Sequence, residues 1–326
     1  MAGGASTVRL ATAVAQAGAF PFLAGGYQPP DALAAEIAEL RTYGAPFGVN
    51  LLAPHPIPIG DTPFRQYARE LQPEADAYGL DLSQAPLIQD DDWWQDKLDL
   101  LLADPVPVVW VTFGLPSPAE VAALHRAGSR VLVTVTTVGE ARAATEIGPD
   151  ALVAQGSDAG GHRGTFDPHQ PITAALPALD LTRALLAVTD LPVIAAGGVD
   201  GGPAAAALLQ AGAVAVAVGT LLLRTPESGA SATHKEALAN PAFSGTVLTR
   251  AFTGRPARGL RNQFVERHEA TAPLGYPAVH HLTRGLRRAA AAAGDPQRLH
   301  LWAGTGYPRA AADPAGSVIE GLARGL

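Results

Sequence analysis

The sequence predicts an α/β protein: a (β/α)8 TIM barrel that lacks most of its first strand and carries a smaller, mainly helical cap. Between about residues 6 and 218, short β-rich runs alternate with segments of helical period, and this alternation is typical of a parallel sheet. The runs number about seven, and so many repeats favour a closed barrel of about eight strands over an open sheet. Beyond Leu223 the alternation ends, which predicts a separate insertion.

The individual elements follow from caps, apolar spacing and turn residues. Ser6 or Thr7 suits the N-cap of the first helix, Pro30 and Asp31 suit the start of the second, and β-branched residues dominate the run from Arg130. The predicted strands cover residues 20–24, 47–52, 108–113, 130–136, 151–154, 193–196 and 214–218. The predicted helices cover residues 6–17, 32–41, 64–78, 93–102, 118–127, 139–147, 182–188 and 203–210.

The eighth strand is expected at the start of the chain. Met1-Ala2-Gly3-Gly4 resembles the last turn of a strand, so the chain is expected to begin inside its first barrel strand. The start codon is then assigned too late, or the barrel closes imperfectly. Residues from about 225 to 304 show helices, prolines and aromatics without clear strands. We therefore expect a barrel of residues 1–223 and 305–326, whose last part (313–326) is a closing helix, and a cap of residues 224–304.

Composition excludes several classes of function. The chain has no cysteine, so it forms no disulfide, cysteine-ligated metal site or thiol nucleophile. A net charge of −7 without a basic cluster argues against a nucleic-acid partner. No apolar stretch is long enough for a membrane span and no secretory pattern begins the chain, so a cytoplasmic protein is expected. No spacing resembles a metal site, and the acidic run at 90–92 is explained most simply by the helix that follows.

The most informative segment is Val-Ala-Gln-Gly-Ser-Asp-Ala-Gly-Gly-His-Arg-Gly at residues 153–164. An apolar run ends in Gln155, and a glycine pair then delivers His162 at the carboxyl end of a parallel strand, where α/β enzymes place their chemistry. An unperturbed histidine has a pKa near neutrality, so His162 is the best candidate for an acid or base. The alternative is a glycine-rich surface loop that happens to contain a histidine.

Two glycine turns predict a phosphate-bearing cofactor. Gly197 and Gly198 end one predicted strand, and Gly219 and Thr220 end the next. If the first strand is the truncated one, these turns follow strands seven and eight, whose loops often bind phosphate in barrels through backbone N–H groups. Each turn by itself is also compatible with a purely structural role.

Two amide side chains point to the kind of cofactor. Asn50 and Gln155 both end apolar strands. A carboxamide carries a donor and an acceptor in one group, which suits the uracil-like edge of a flavin. The alternative is that each amide caps a loop.

Longer stretches of the chain resemble the FMN-dependent nitronate monooxygenases, formerly called 2-nitropropane dioxygenases, of the bacterial class I type. The resemblance covers nearly the whole chain and is most specific in Ala-Gly-Gly-His-Arg-Gly at residues 159–164. It also includes residues 1–4, 22–27, 46–51, 112–114, 155–164, 195–198, 218–220, 249–255 (Thr-Arg-Ala-Phe-Thr-Gly-Arg), 280–283 and 301–307.

The resemblance implies a barrel that binds FMN without a covalent link. His162 would then lie in the active site, and Tyr307 with the aromatic cap would close the substrate pocket. The flavin-binding residues it implies are Ala2, Gly3, Asn50, Gln155, Gly160, Gly161, Gly197, Gly198, Gly219 and Thr220. No metal is implied.

The activity implied is the oxidation of alkyl nitronates, notably propionate 3-nitronate, by dioxygen to a carbonyl compound with nitrite or nitrate. His162 would hydrogen-bond the nitronate or remove the α-proton of a neutral nitroalkane. The partners would be a small-molecule nitronate and dioxygen, with a homodimer as a further expectation. Two departures bear on FMN: the first strand is missing, and Ala217 stands where the family commonly has glutamine.

Two other functions are compatible with the same fold. One is an NADH:quinone reductase built on the same flavin barrel. The other is a barrel that has lost its flavin and serves as a binding protein.

Overall fold

The computed structural model, which describes residues 1–170 and 175–324, contains a seven-stranded parallel sheet flanked by helices. The strands are β1 Phe22–Ala24, β2 Gly48–Leu52, β3 Val108–Thr112, β4 Arg130–Val135, β5 Ala151–Gln155, β6 Gly161–His162, β7 Val193–Ala196, β8 Ala215–Ala217, β9 Thr246–Thr249 and β10 Ala257–Leu260. The helices are α1 Val8–Gln16, α2 Pro30–Arg41, α3 Asp61–Asp76, α4 Trp94–Ala103, α5 Pro118–Ala127, α6 Val138–Thr145, α7 Ala178–Leu186, α8 Gly202–Gln210, α9 Ala232–Ala239, α10 Gln263–His268, α11 Ala278–Ala292 and α12 Ala315–Ala323.

The parallel sheet has the order β1-β2-β3-β4-β5-β7-β8. It contains all seven strands predicted from the sequence, and it curls into a barrel that lacks one strand, so the predicted fold class is confirmed. Because every neighbouring pair is parallel, the carboxyl ends of these strands meet at one mouth. The side chains and turns singled out above lie at that mouth.

The N-terminal turn lies between the two ends of the open sheet. Within the described residues, β1 and β8 do not pair with each other. A Cβ atom built on Gly26, just after β1, would lie 3.4 Å from the Cβ of Ala2, and one on Gly219, just after β8, would lie 3.3 Å from the Met1 Sδ. Met1 and Ala2 thus bridge the two glycine-containing loops that follow the outermost strands.

The segment 224–304, here called the cap segment, departs from the expectation of no clear strands. It contains β9 and β10, which join β6 in a three-stranded antiparallel sheet of order β6-β10-β9. The expectation failed because these strands have only four residues each, and Ala-Arg-Gly-Leu in β10 carries little β-propensity. Pairing with the barrel segment around His162, rather than local sequence, defines this sheet.

The two largest apolar clusters of the described residues stabilise the barrel and the cap segment. The larger lies between the barrel strands and their helices, and residues such as Leu23, Val49 and Val133 are fully buried there. The second packs α3 against the cap segment through Phe64, Phe264 and their neighbours. At this level of burial each large apolar side chain contributes about 1.5–3 kcal/mol to stability.

The chain ends in a helix, α12, which lies within the predicted segment 313–326 and packs against α1. α12 packs its Ala315, Val318 and Ile319 against Leu10 and Val14 of α1. The last two residues of the predicted closing helix, 325–326, lie outside the described residues. No helix of the described part of the chain is both long and apolar enough to cross a membrane.

Candidate active site at the mouth of the barrel

His162 lies at the barrel mouth in a segment that crosses the ends of the central strands. Two residues later, a Cβ atom on Gly164 would meet the Thr134 Cγ2 at 2.6 Å and the Thr112 Cγ2 at 3.3 Å, so the backbone passes directly over β3 and β4. The imidazole is half-buried. Four aromatic rings surround it, with centroids 5.4–6.5 Å from its own: Tyr27, Phe113, Tyr276 and Trp302.

Gln155 fixes the segment that carries His162. Its Nε2 donates to the His162 carbonyl oxygen (2.9 Å), and its Oε1 accepts from the Gly164 backbone nitrogen (2.7 Å). The arrangement is that of a side-chain cap on a loop, one of the two roles considered above. One Nε2 hydrogen is left over, so the same amide retains a donor for a ligand.

Gly160 has no room for a side chain. A Cβ atom there would lie 2.4 Å from the Gly304 backbone nitrogen and 2.5 Å from the Ala303 carbonyl carbon. Glycine is therefore required because two stretches of backbone touch. This contact joins the His162 segment to residues 303–304 of the cap segment.

The imidazole of His162 is uncharged at neutral pH. Burial, followed by the nearby charges of Arg255 and Arg287, lowers its pKa to about 3. The sequence alone suggested a group that titrates near neutrality, and burial removes that property. Its Nε2 lies 2.8 Å from the Thr253 Oγ1.

Two buried guanidinium groups give the site a positive charge. Arg255 is fully buried and Arg287 is 6% exposed, and neither forms an ion pair with any described carboxylate. Burial lowers the pKa of each to about 10, so both remain charged at neutral pH. A buried charge without a counter-ion favours an anionic ligand.

Arg255 is held by backbone carbonyl groups and by an aromatic ring. Its Cζ lies 4.0 Å from the centroid of Phe113, its Nε donates to the Arg163 carbonyl oxygen at 3.2 Å, and its Nη2 donates to that of Thr165. Its Nη1 is buried without a partner among the described residues. An unpaired buried donor is costly, so a ligand or water that accepts from Nη1 would stabilise the site.

The aromatic side of the site is built on strained backbone. Tyr27 (φ 66°) and Phe113 (φ 84°) have left-handed conformations, which cost about 1–3 kcal/mol each for residues other than glycine. Tyr27 stacks on His280 with centroids 4.3 Å apart and shares a 3.1 Å hydrogen bond with the Tyr276 hydroxyl. Such strain persists where surrounding contacts impose it, and it is frequent at functional sites.

The acidic run at 90–92 helps to fix the backbone of Tyr27. Asp92 accepts from the Tyr27 backbone nitrogen (2.9 Å) and pairs with the buried Lys97 (2.8 Å). Asp90 pairs with His281 at 2.9 Å. The run therefore has protein partners, and no group of three or more histidines and carboxylates in the described part of the chain is arranged to hold a metal.

The two glycine turns form a cradle of free backbone donors. The N–H groups of Gly197, Gly198, Gly219 and Thr220 donate to no acceptor among the described residues, and β7 and β8, which they follow, are neighbours. Positive φ angles at Gly197 (118°) and Gly198 (68°) turn the backbone as glycine alone does easily. Free N–H groups at adjacent strand ends are the donors that a phosphate group requires.

Asp158 lies against this cradle. A Cβ atom on Gly198 would lie 2.2 Å from its Oδ2, and its Oδ1 accepts from the Ala178 backbone nitrogen at the start of α7 (3.1 Å). Burial raises the pKa of this carboxyl group, which favours the uncharged form beside an anion. The positive charge of Arg258 opposes this rise in pKa but itself favours an anion nearby, so the cradle is compatible with a phosphate group.

The remaining predicted flavin residues lie around the same mouth. Asn50 donates through Nδ2 to the Trp110 carbonyl oxygen (2.9 Å) and the Thr112 Oγ1 (3.0 Å), so only its Oδ1 stays free for a ligand. Gly161 forms part of β6, and Ala2 and Gly3 belong to the N-terminal turn.

Tyr307 does not contact His162. Its ring packs among buried side chains that include Leu223, Leu238 and Leu301. Its hydroxyl donates to the Phe243 carbonyl oxygen at 2.7 Å. The aromatic rings beside His162 are instead those of Tyr27, Phe113, Tyr276 and Trp302.

Several residues of the site were missed by the sequence reasoning. They are Thr253, Arg255, His280 and Arg287, all from the cap segment. The family-like motif at 249–255 contained two of them, but their roles depend on contacts that span about ninety residues, such as Thr253 with His162 (91 residues apart). No local pattern encodes such a contact.

The chain is similar to known proteins over nearly its whole length. The family model described as nitronate monooxygenase matches residues 1–325. A probable nitronate monooxygenase of Staphylococcus aureus (strain Newman) is 32% identical over 323 residues, covering 98% of this chain and 90% of the relative.

Two solved structures are also similar to this chain over its whole length. Nitroalkane oxidase from Streptomyces ansochromogenes is 47% identical with a TM-score of 0.95, covering 100% of this chain and 93% of its own. FabK from Thermotoga maritima is more distant, 26% identical with a TM-score of 0.76, covering 100% of this chain and 90% of its own.

Proposed function

Since this chain belongs to the nitronate monooxygenase family and is an oxidoreductase, we propose that it oxidises alkyl nitronates of the propionate 3-nitronate type with dioxygen. The products would be a carbonyl compound with nitrite or nitrate, and the cofactor would be FMN. One observation carries the proposal: a single segment, from Asp158 at the glycine cradle to His162 among the aromatic rings, connects a phosphate-type site with a cationic pocket.

The FMN phosphate would be held by the backbone donors of the cradle, and the isoalloxazine edge by the free amide atoms of Asn50 and Gln155. The full set of residues proposed to bind FMN is Ala2, Gly3, Asn50, Gln155, Gly160, Gly161, Gly197, Gly198, Gly219 and Thr220. When bound, FMN supplies the electron acceptor for the nitronate. We further propose that residues 1–223 with 305–326 form the FMN-binding domain and that 224–304 form its cap.

The substrate would be held as an anion. Arg255 and Arg287 lie near His162 without carboxylate partners, so their charges stabilise a nitronate and oppose protonation of the imidazole. The four aromatic rings would make the surroundings of His162 less polar, which strengthens these electrostatic interactions. A cytoplasmic location and a homodimer belong to the same proposal and are supported only by composition and by resemblance.

The visible spectrum of the purified protein tests this proposal. Without oxygen, propionate 3-nitronate should bleach the flavin bands, and admission of oxygen should restore them with release of nitrite or nitrate. His162→Asn should lower turnover of a neutral nitroalkane, which must lose its α-proton, by about 100-fold or more, the usual contribution of a positioned acid or base, with FMN content little changed.

Other outcomes would contradict the proposal. Rapid bleaching by NADH, with nitronate inert, would indicate an NADH:quinone reductase. Absence of flavin bands even after FMN is added would indicate a binding protein without flavin. Unchanged turnover in His162→Asn would remove that residue from the mechanism.

A further inference from the structure

Only one of the two ring nitrogens of His162 has a hydrogen-bond partner among the described residues. Nε2 lies 2.8 Å from the Thr253 Oγ1. Nδ1 has no hydrogen-bond partner among residues 1–170 and 175–324, and it is not one of the buried side-chain atoms that lack a partner. Nδ1 therefore keeps some accessible surface and is free to meet a ligand.

The Thr253 hydroxyl has a second neighbour that decides the direction of this hydrogen bond. The Arg255 carbonyl oxygen lies 3.2 Å from Oγ1. Arg255 is fully buried, and no other described group outside the regular strand pairing donates to this oxygen. Because a buried carbonyl group needs a donor, the single hydroxyl proton of Thr253 goes to Arg255.

The consequence for the imidazole follows from counting protons. A hydroxyl that donates elsewhere meets Nε2 only as an acceptor. The neutral ring must then carry its proton on Nε2, which leaves a lone pair on Nδ1. In a neutral histidine, the hydrogen-bond partner of one ring nitrogen decides which nitrogen carries the proton, as in metal sites and catalytic triads.

We propose that Thr253 is a positioning residue that keeps His162 in the Nε2–H tautomer, with Nδ1 as the proton acceptor that faces the substrate. The role of Nδ1 in proton transfer rests on the proposed function. The tautomer set by Thr253 does not depend on the cofactor. It distinguishes between the two roles considered for His162. A lone pair does not donate to a nitronate oxygen, whereas it accepts a proton from carbon.

The substrate class that suits this tautomer is the neutral nitroalkane. Nδ1 would take the α-proton: the C–H bond breaks, its electron pair becomes the second bond of C=N, the N=O π pair moves onto oxygen to give the nitronate anion, and the Nδ1 lone pair forms the new N–H bond. The ring becomes an imidazolium with both nitrogens protonated. Burial and the charges of Arg255 and Arg287 make the imidazole a weak base, whereas the same two charges would stabilise the nitronate that is formed.

Nitrogen-15 NMR of the purified full-length protein, labelled in its histidine rings, tests the tautomer directly. The signal of His162 is identified by its loss in His162→Asn. We expect a protonated Nε2 and an unprotonated Nδ1 in the unaltered protein and in Thr253→Ser, which keeps the hydroxyl. In Thr253→Val the ring should shift towards the Nδ1–H form. An Nδ1–H ring in the unaltered protein, or no shift in Thr253→Val, would overturn the inference.

A kinetic comparison adds a readout that a merely structural role does not change. Thr253→Val should reduce kcat/KM for nitroethane about tenfold more than for preformed ethylnitronate, since only the first needs a base, and Thr253→Ser should restore most of the difference. Thr182→Val is the matched control, because Thr182 is also fully buried but donates to the Ala178 carbonyl oxygen in α7. Equal losses on both substrates would overturn the role in proton transfer.

The two proposals fail in different ways. If the tautomer is as stated and neither substrate is oxidised, the proposed function is wrong while the geometry of Thr253 stands. If nitronates are oxidised and the tautomer is the opposite one, the function stands and the assignment of Thr253 is wrong.

Discussion

His162 lies among four aromatic rings and near two guanidinium groups, so its surroundings, rather than its residue type, set its chemistry. The sequence identified the residue through the glycines that precede it. The protonation state could not be predicted from the sequence, because it depends on burial of the ring in the fold and on the charges of Arg255 and Arg287 from the cap segment. The choice of tautomer likewise depends on Thr253, a partner 91 residues away.

At the same scale, Gly160 is expected to tolerate no side chain. Gly160→Ala would place a methyl group 2.4 Å from the Gly304 backbone nitrogen, so two backbones must separate. We expect thermal unfolding at lower temperature, and FMN content and turnover reduced at least tenfold, because misplacement by about 1 Å has a large effect on catalysis.

The matched control is Gly139→Ala. Gly139 lies in α6, where a Cβ atom has no contact closer than 3.8 Å, and alanine should stabilise the helix by about 0.5–1 kcal/mol. If Gly160→Ala has the same unfolding temperature and turnover as Gly139→Ala, the close approach of the two backbones at Gly160 matters for neither stability nor activity.

At the scale of elements, a charged cluster connects α3 with the cap segment. Glu74, 6% exposed, accepts from His268 at 3.0 Å and pairs with Arg267 at 2.7 Å and Arg298 at 2.6 Å. Burial by itself would raise the pKa of Glu74, but the hydrogen bonds from His268 and Arg298 and the arginine charges lower it below its ordinary value.

Glu74→Gln should therefore lower the free energy of unfolding by about 3–5 kcal/mol, as expected when one partner of a buried ionic cluster is removed. Since the folded-state pKa is depressed, the contribution of Glu74 is present above the unfolded carboxyl pKa, near 4.5, and is lost as the pH falls through the folded value.

Urea unfolding at pH 7 and in acid measures this effect. Glu320→Gln, the same change on the exposed face of α12, is the control and should change stability by less than about 0.5 kcal/mol. A variant Glu74→Gln as stable as this control would contradict the prediction.

The elements that the sequence predicted well are those whose signals are local. The strands of the barrel, the Pro30 helix start and the Thr7 cap agree with the structure to within a few residues. The antiparallel strands β9 and β10 were missed, since their pairing depends on the segment around His162. The sequence therefore predicted only part of the candidate site. It identified the glycine turns and His162 of the barrel, but not the residues that come from the cap segment.

At the scale of the whole molecule, several histidines are neutral only because the protein is folded. Burial lowers the pKa of His162 to about 3 and of His234 to about 4, and it lowers those of His280 and His300 well below the ordinary value of 6.5. The unfolded chain binds protons at these rings below pH 6.5, whereas the folded chain does not.

Stability should therefore fall as the pH decreases from 7 to 5, by at most about 1.4 kcal/mol per pH unit for each such ring. Carboxyl groups with depressed pKa values, such as Glu74, titrate below this range. Thermal unfolding at pH 7, 6 and 5 measures the slope, and His234→Gln should make it shallower. A Tm that is constant or rises towards pH 5 would contradict the prediction.

The pairing of β6 with β10 has a mechanical consequence. His162 and Ala257 are partners in one antiparallel ladder, so any movement of β10 that preserves this ladder also moves His162. The cap segment cannot then be displaced at β10 while the imidazole stays in place, unless the ladder breaks. Small molecules must then enter beside the ladder, or each opening must also dismantle and rebuild the arrangement around His162.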